Sequence, residues 1–268
     1  MPSDTRFEFT KENIDTYLKE LAKEYRRRIS KGMPAEITLI GGASVLINYG
    51  FRNMTTDIDA LIRAASGMKD AINSVRDKYG LPVGWLNEDF KNTDSYTVKL
   101  DEFSQFHKTF SNVLTVRTVS AEYLIAMKLR SGRQYKNDLS DVLGILAAHE
   151  VSEKPIRLED IQRAVSNLYK DWESLPVASR VFIENVMDRG NFKELYDQVI
   201  RSEQEIRSML IQFEQDYPDR ANASNIDKIA SNLQKKAGRE SILEELRKIK
   251  TEQNAAITEK KANSHDEK

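Results

Sequence analysis

Two aspartates one residue apart, Asp57 and Asp59, lie in the run Thr56-Asp57-Ile58-Asp59-Ala60-Leu61-Ile62. Ile58, Leu61 and Ile62 make this run a strand rather than a turn. Side chains alternate across a strand, so both carboxylates point one way while Ile58 and Ala60 point into the core. Neighbouring carboxylates repel unless a cation lies between them. A hard divalent ion, Mg2+ or Mn2+, held by one or two carboxylates plus substrate phosphates, meets that need. Upstream, Ile37-Thr38-Leu39-Ile40 reads as a buried strand that ends at Gly41-Gly42-Ala43-Ser44, with a short helix from Ala43 to Tyr49 behind it. The glycines let a backbone come close to a phosphate, and the helix N-terminus presents unpaired N–H groups to it. Gly41, Gly42 and Ser44 are therefore expected to contact a triphosphate through backbone N–H groups and the serine hydroxyl. A phosphate cradle and a metal clamp on adjacent strands point to phosphoryl-transfer chemistry.

A second group of residues lies some seventy positions on. Leu124, Met127 and Leu129 bury a helix over 120–130, and Lys128 lies beside that apolar stripe. Lysine seldom enters a core unless its ammonium has a partner. Lys128 either reaches phosphates as a point charge or runs along the surface with its ammonium in water. In the next helix Asp138 and Asp141 sit three apart and share a face, while Leu139, Val142, Leu143 and Leu146 pack inward. With Arg133 and Lys136 nearby in sequence, these acids serve either a site or an ion-pair network.

Gly41-Gly42-x-Ser44 followed by Asp57-x-Asp59 resembles the signature of the nucleotidyltransferase superfamily, the fold of DNA polymerase beta and of the aminoglycoside nucleotidyltransferases. The segment Glu122 to Leu129, then Arg133, then Lys136-Asn137-Asp138-Leu139-Ser140-Asp141-Val142, is similar to the second half of the abortive-infection (AbiE-type) toxin nucleotidyltransferases and their bacterial relatives. The resemblance covers about residues 35–150. It implies an α/β fold with a mixed sheet flanked by helices. It implies transfer of a nucleoside monophosphate from an NTP to an acceptor, with Asp57 and Asp59 holding Mg2+. A Lys on one helix and an Asp on the next complete such a site; Lys128 and Asp141 match best, and Asp138 is the alternative. The same resemblance implies tRNA or another RNA as acceptor, and an antitoxin protein as partner. A catalytically silent fold that binds nucleotide or protein, and a small-molecule (antibiotic) nucleotidyltransferase, are the competing readings. The superfamily often carries a third carboxylate on a later strand, and Asp101 is the positional candidate.

The 268 residues carry 41 basic and 42 acidic side chains, a formal charge of −1, so no global charge selects nucleic acid or membrane. Without cysteine there is no disulfide framework, thiolate metal site or thiol nucleophile. His107, His149 and His265 stand apart, which argues against a histidine metal site or triad. The opening residues lack the charged and apolar regions of a signal peptide and no apolar run spans a bilayer, so cytoplasm is expected.

The elements that must position these groups follow from spacing. Ile14, Leu18, Leu21, Ala22 and Tyr25 predict a helix over 10–30, capped by Thr10. Met68, Ala71, Ile72 and Val75 predict a helix over 67–79 ending at Gly80, crossing between strands. Trp85-Leu86-Asn87 is expected in a turn with Trp85 as a core anchor, Ser95 to Asp101 as a strand, Glu102 to Lys108 as a loop, and Leu114 to Val119 as a strand. Helices are expected over 155–175 and 177–214, the latter split at Gly190. An amphipathic stretch follows from Ile226 to Ile249. The expected domains are 1–150, a helical region 151–250, and a disordered tail 251–268 poor in apolar anchors.

Overall fold

The computed structural model describes residues 7–29, 33–133, 136–222 and 225–237. Helix α1 (Lys11–Arg28) starts at Thr10, whose N–H donates to Asn13 Oδ1 at 2.9 Å. Strand β1 (Ala35–Leu39) leads directly into helix α2 (Gly41–Asn48), and strand β2 is Ile58–Arg63. Helix α3 (Gly67–Tyr79) then carries the chain to β3 (Leu86–Asn87), parallel to β2. Strands β4 (Ser104–Phe110) and β5 (Leu114–Val119) follow. The sheet order is β3-β2-β1-β5-β4, with β1 antiparallel to β2 and parallel to β5. The mixed α/β sheet expected from the sequence is therefore present.

Alternation divides the sheet into two faces. Ile37, Leu39, Ile58, Ala60, Leu114 and Val116 join α1 and α3 in one apolar core. Ile40, Leu61 and Val119 belong to a second core with helices α4 (Ala121–Ser131), α5 (Asp138–Val151), α6 (Leu158–Tyr169) and α7 (Val177–Arg189). Helix α8 (Phe192–Asp216) begins after Gly190, whose φ of +62° breaks the helical path where the sequence places a split.

The chain parts into two compact units. The first holds residues 1–133 and 137–200, so the helices from α6 to the start of α8 cluster with the sheet. The second holds 134–136 and 201–268, and its apolar core includes Ile206, Leu210 and Ala230, with a helix over 226–237. The stretch from Gly238, including the expected tail and His265, lies outside the described residues. No helix among the described residues is long and apolar enough to cross a membrane.

Three expectations between residues 81 and 110 are corrected. Leu86 and Asn87 form the short edge strand β3 rather than a turn, while Trp85 is the expected core anchor, its Nε1–H donating to Ile72 O at 3.2 Å. Ser95 to Asp101 is no strand; it leads into a 3-10 turn, Val98–Phe103. The polar run expected as a loop is strand β4. It lies at the sheet edge, where most of its side chains meet solvent, so it lacks the alternation that marks a half-buried strand. Ser111 and Asn112, at φ +50° and +53°, make the tight hairpin into β5, closed by Val113 N–H donating to Phe110 O at 3.1 Å.

Candidate active site

The turn between β1 and α2 faces Asp59. Gly41 has φ +54°, a left-handed conformation that side chains rarely adopt, and a Cβ placed on it would lie 3.7 Å from Asp59 Oδ2. Its backbone therefore faces the Asp59 carboxylate with no side chain between. Ile40 N–H donates to Asp59 O at 2.9 Å and fixes the end of β1 against the start of β2. Asp59 is half-buried on β2; Asp57 precedes the strand by one residue and is exposed. Ile58 and Ala60 are fully buried, as the alternation requires.

Gly42 has a different neighbourhood. A Cβ there would lie 2.8 Å from Arg52 Nη2 and 2.8 Å from Thr55 Oγ1, too close for a real side chain. Arg52 and Thr55 thus explain why this position has no side chain. Ser44, expected to offer its hydroxyl to a phosphate, is fully buried in α2, and its Oγ has no hydrogen-bond partner among the described residues.

Lys128, Asp138 and Asp141 are brought together, all nearly inaccessible to solvent. Lys128 Nζ lies 2.8 Å from Asp138 Oδ1 and 2.8 Å from Asp141 Oδ2. Arg133 Nε donates to Asp138 Oδ2 at 2.9 Å, and Arg52 Nη1 donates to Asp141 Oδ2 at 2.6 Å. Burial is the strongest influence on Lys128 and pushes its ammonium toward the neutral form, but Asp138 and Asp141 outweigh it and hold its pKa above the ordinary value. Burial likewise pushes the Asp138 carboxyl up, and Lys128 with Arg133 overcome it, leaving that carboxyl well below the usual range. The ammonium does not run out to water; it is fixed between two acids.

Asp101 lies on the 3-10 turn, not on a strand, and Arg63 Nη2 holds its carboxylate at 2.6 Å. Among the described residues no three His, Asp or Glu side chains gather around a possible ion. An ion at Asp57 and Asp59 would need further oxygens from phosphate or water, the pattern Mg2+ favours. The hard donors, with a bare glycine facing one of them, fit such an ion.

The family described as a nucleotidyltransferase of unknown function (DUF6036) matches residues 16–157, more than half of the chain. The chain belongs to this nucleotidyltransferase family. No match is found among curated proteins or among solved structures. The matched span contains every residue described above, from the Gly41-Gly42 turn to Asp141.

Within this nucleotidyltransferase fold the residues that sequence reasoning overlooked are Arg52 and Thr55. Arg52 joins the glycine turn to the buried acids, across 89 positions of sequence. Its signal was indirect: Asp141, one turn inside a helix, called for a cationic partner, and two cations answer it. Thr55 pairs with Phe9 through reciprocal backbone hydrogen bonds of 2.8 and 2.9 Å, and its Oγ1 donates to Asp57 O at 3.2 Å, anchoring the approach to the acidic pair.

Proposed function

We propose that this protein transfers a nucleoside monophosphate from an NTP to an acceptor hydroxyl. The acceptor oxygen bonds to the α-phosphorus, the bond from that phosphorus to the bridging oxygen breaks, pyrophosphate leaves, and the hydroxyl proton passes to solvent or a base. One observation carries the reading: the left-handed Gly41 backbone faces the Asp59 carboxylate within the span that matches the nucleotidyltransferase family. Asp57 and Asp59 would hold Mg2+ (or Mn2+), which when bound neutralises phosphate charge and orients the α-phosphorus for attack. Backbone N–H groups of Gly41 and Gly42 at the start of α2 would receive phosphate oxygens. Lys128, fixed by Asp138 and Asp141, would supply positive potential where negative charge develops. RNA is the acceptor class that the toxin-like resemblance supports, with an antitoxin as partner.

A catalytically silent, nucleotide-binding fold is favoured by one observation, that no third acid joins Asp57 and Asp59 among the described residues. Incubation with each α-labelled NTP, Mg2+ and either total RNA or an aminoglycoside separates the readings. Label should enter RNA with wild type, and Asp59→Ala should lower the rate by about 100-fold or more, the range in which transition-state electrostatics operate. Tight NTP binding without transfer to any acceptor would support the silent fold. Label on the aminoglycoside alone would make the protein a small-molecule transferase.

A further inference from the structure

Two of the three guanidinium nitrogens of Arg52 are held by its own protein. Nε–H donates to Met54 O at 3.1 Å, and Nη1 donates to Asp141 Oδ2 at 2.6 Å. Nη2 donates to no described residue, and it occupies the place beside Gly42 where a side chain would stand. A guanidinium is a rigid fork of five N–H donors, always charged, and matched to planar or tetrahedral oxyanions. Here the Nε and Nη1 positions are used to fix the fork, and the Nη2 donors remain uncommitted at the first turn of α2.

Charge leads to the same place. The side chain is only 15% exposed, so its charge is largely withdrawn from water. Its carboxylate partner among the described residues is Asp141, whose Oδ2 it shares with Lys128 at 2.8 Å. Lys128 has Asp138 as well, so among the described residues Arg52 is the sheltered cation left with a shared carboxylate oxygen, and a sheltered cation is stabilised by a further anion. The Arg52 Nη2 lies at the glycine turn. There, consecutive residues face a carboxylate, Asp59, and a guanidinium, Arg52.

We propose that Arg52 grips the triphosphate tail of the NTP through Nη2, with Asp141 as the positioning residue that aims the fork. This rests on the nucleotidyl-transfer reading and adds to it a phosphate-recognising residue outside the glycine and aspartate motifs. Thr55 Oγ1 stands against the same Gly42.

Calorimetric titration of the full chain with Mg2+ and ATP, GTP, CTP and UTP in turn, and with the corresponding monophosphates, tests it. Wild type should bind its preferred triphosphate more tightly than the monophosphate. Arg52→Gln should weaken triphosphate binding by about 10- to 100-fold, the scale of a charge-assisted contact, and leave monophosphate binding within about threefold. Arg52→Lys keeps a cation against Asp141 but not the fork, and it serves if the glutamine variant does not fold; a several-fold loss for the triphosphate alone is expected. Equal triphosphate affinity in wild type and a folded variant would overturn the role of Arg52 while leaving nucleotidyl transfer standing. Equal losses for mono- and triphosphate would show a merely structural arginine and overturn it too. A wild-type chain that binds no nucleotide would remove the transfer reading, and this inference with it.

Discussion

Asp138 shows how a single buried side chain can be both stabilised and exposed to failure. It is fully buried and accepts from Lys128 and Arg133, which together hold its carboxyl well below the ordinary value of 3.8. A carboxyl depressed in the folded state contributes stability that is present above its unfolded pKa and lost as pH falls toward its folded one. Lys128 has the opposite sign: raised above 10.5, it contributes below that value and loses its contribution as pH rises beyond it. The pair therefore supports the fold across the neutral range and weakens at both ends. Asp138→Ala should cost about 3–5 kcal/mol near neutral pH, because it leaves a fully buried ammonium with one acid instead of two. Urea unfolding followed from about pH 6 to about pH 3 should show a shallower decline for the variant than for wild type. An unchanged urea midpoint in Asp138→Ala at neutral pH would mean that the network contributes nothing to folding.

Helix α5 is the element that connects this network to the glycine turn. Asp141 and Gly144 lie three residues apart on one face of it. Asp141 receives Arg52, and Gly144 receives Phe51, whose ring atoms would stand 2.5–2.7 Å from a Cβ placed there. Phe51 is further held by Tyr49 at 5.6 Å between ring centroids and by Tyr196 at 5.6 Å. Two neighbouring residues of one loop are thus seated on two neighbouring positions of one helix. Gly144→Ala should push Phe51 outward and cost about 1–3 kcal/mol by overpacking, even though alanine is the better helix former. Because Arg52 adjoins Phe51, the same variant should weaken NTP binding, read by calorimetry beside a melting curve. A raised melting temperature would show that the ring moves aside without strain.

This contact also marks where sequence reading reaches its limit. Apolar spacing places α1 and β2, each of which buries one face, and a short apolar run places β1, which is buried on both. Lys128 with Asp141, and Asp138 as the alternative, follow from the family resemblance rather than from spacing. Arg52 and Asp141 could not be matched, since nothing local in Phe51-Arg52-Asn53 reveals a partner on another helix. Strand β4 was read as a loop because an edge strand wetted on both sides has no hydrophobic period, although Ser111-Asn112 carried the hairpin signal.

At the scale of the whole molecule, every residue assigned to the site falls in the first unit, which extends to Ile200. The opening turns of α8 belong to its core: Phe192 is buried there, and Leu195, Tyr196 and Val199 pack against it. Tyr196 also donates from its hydroxyl to Phe51 O at 3.3 Å, beside Arg52. A chain cut before Phe192 would lose that support for the loop carrying Arg52, whereas one ending at Ile200 would keep it. The shorter chain should melt at lower temperature and bind NTP more weakly. The one ending at Ile200 should melt cooperatively and bind within about threefold of the full chain, less than 1 kcal/mol. Loss of binding in a chain that ends at Ile200 and still melts cooperatively would place a necessary part of the site after that residue, and the assignment of the site to the first unit would fail.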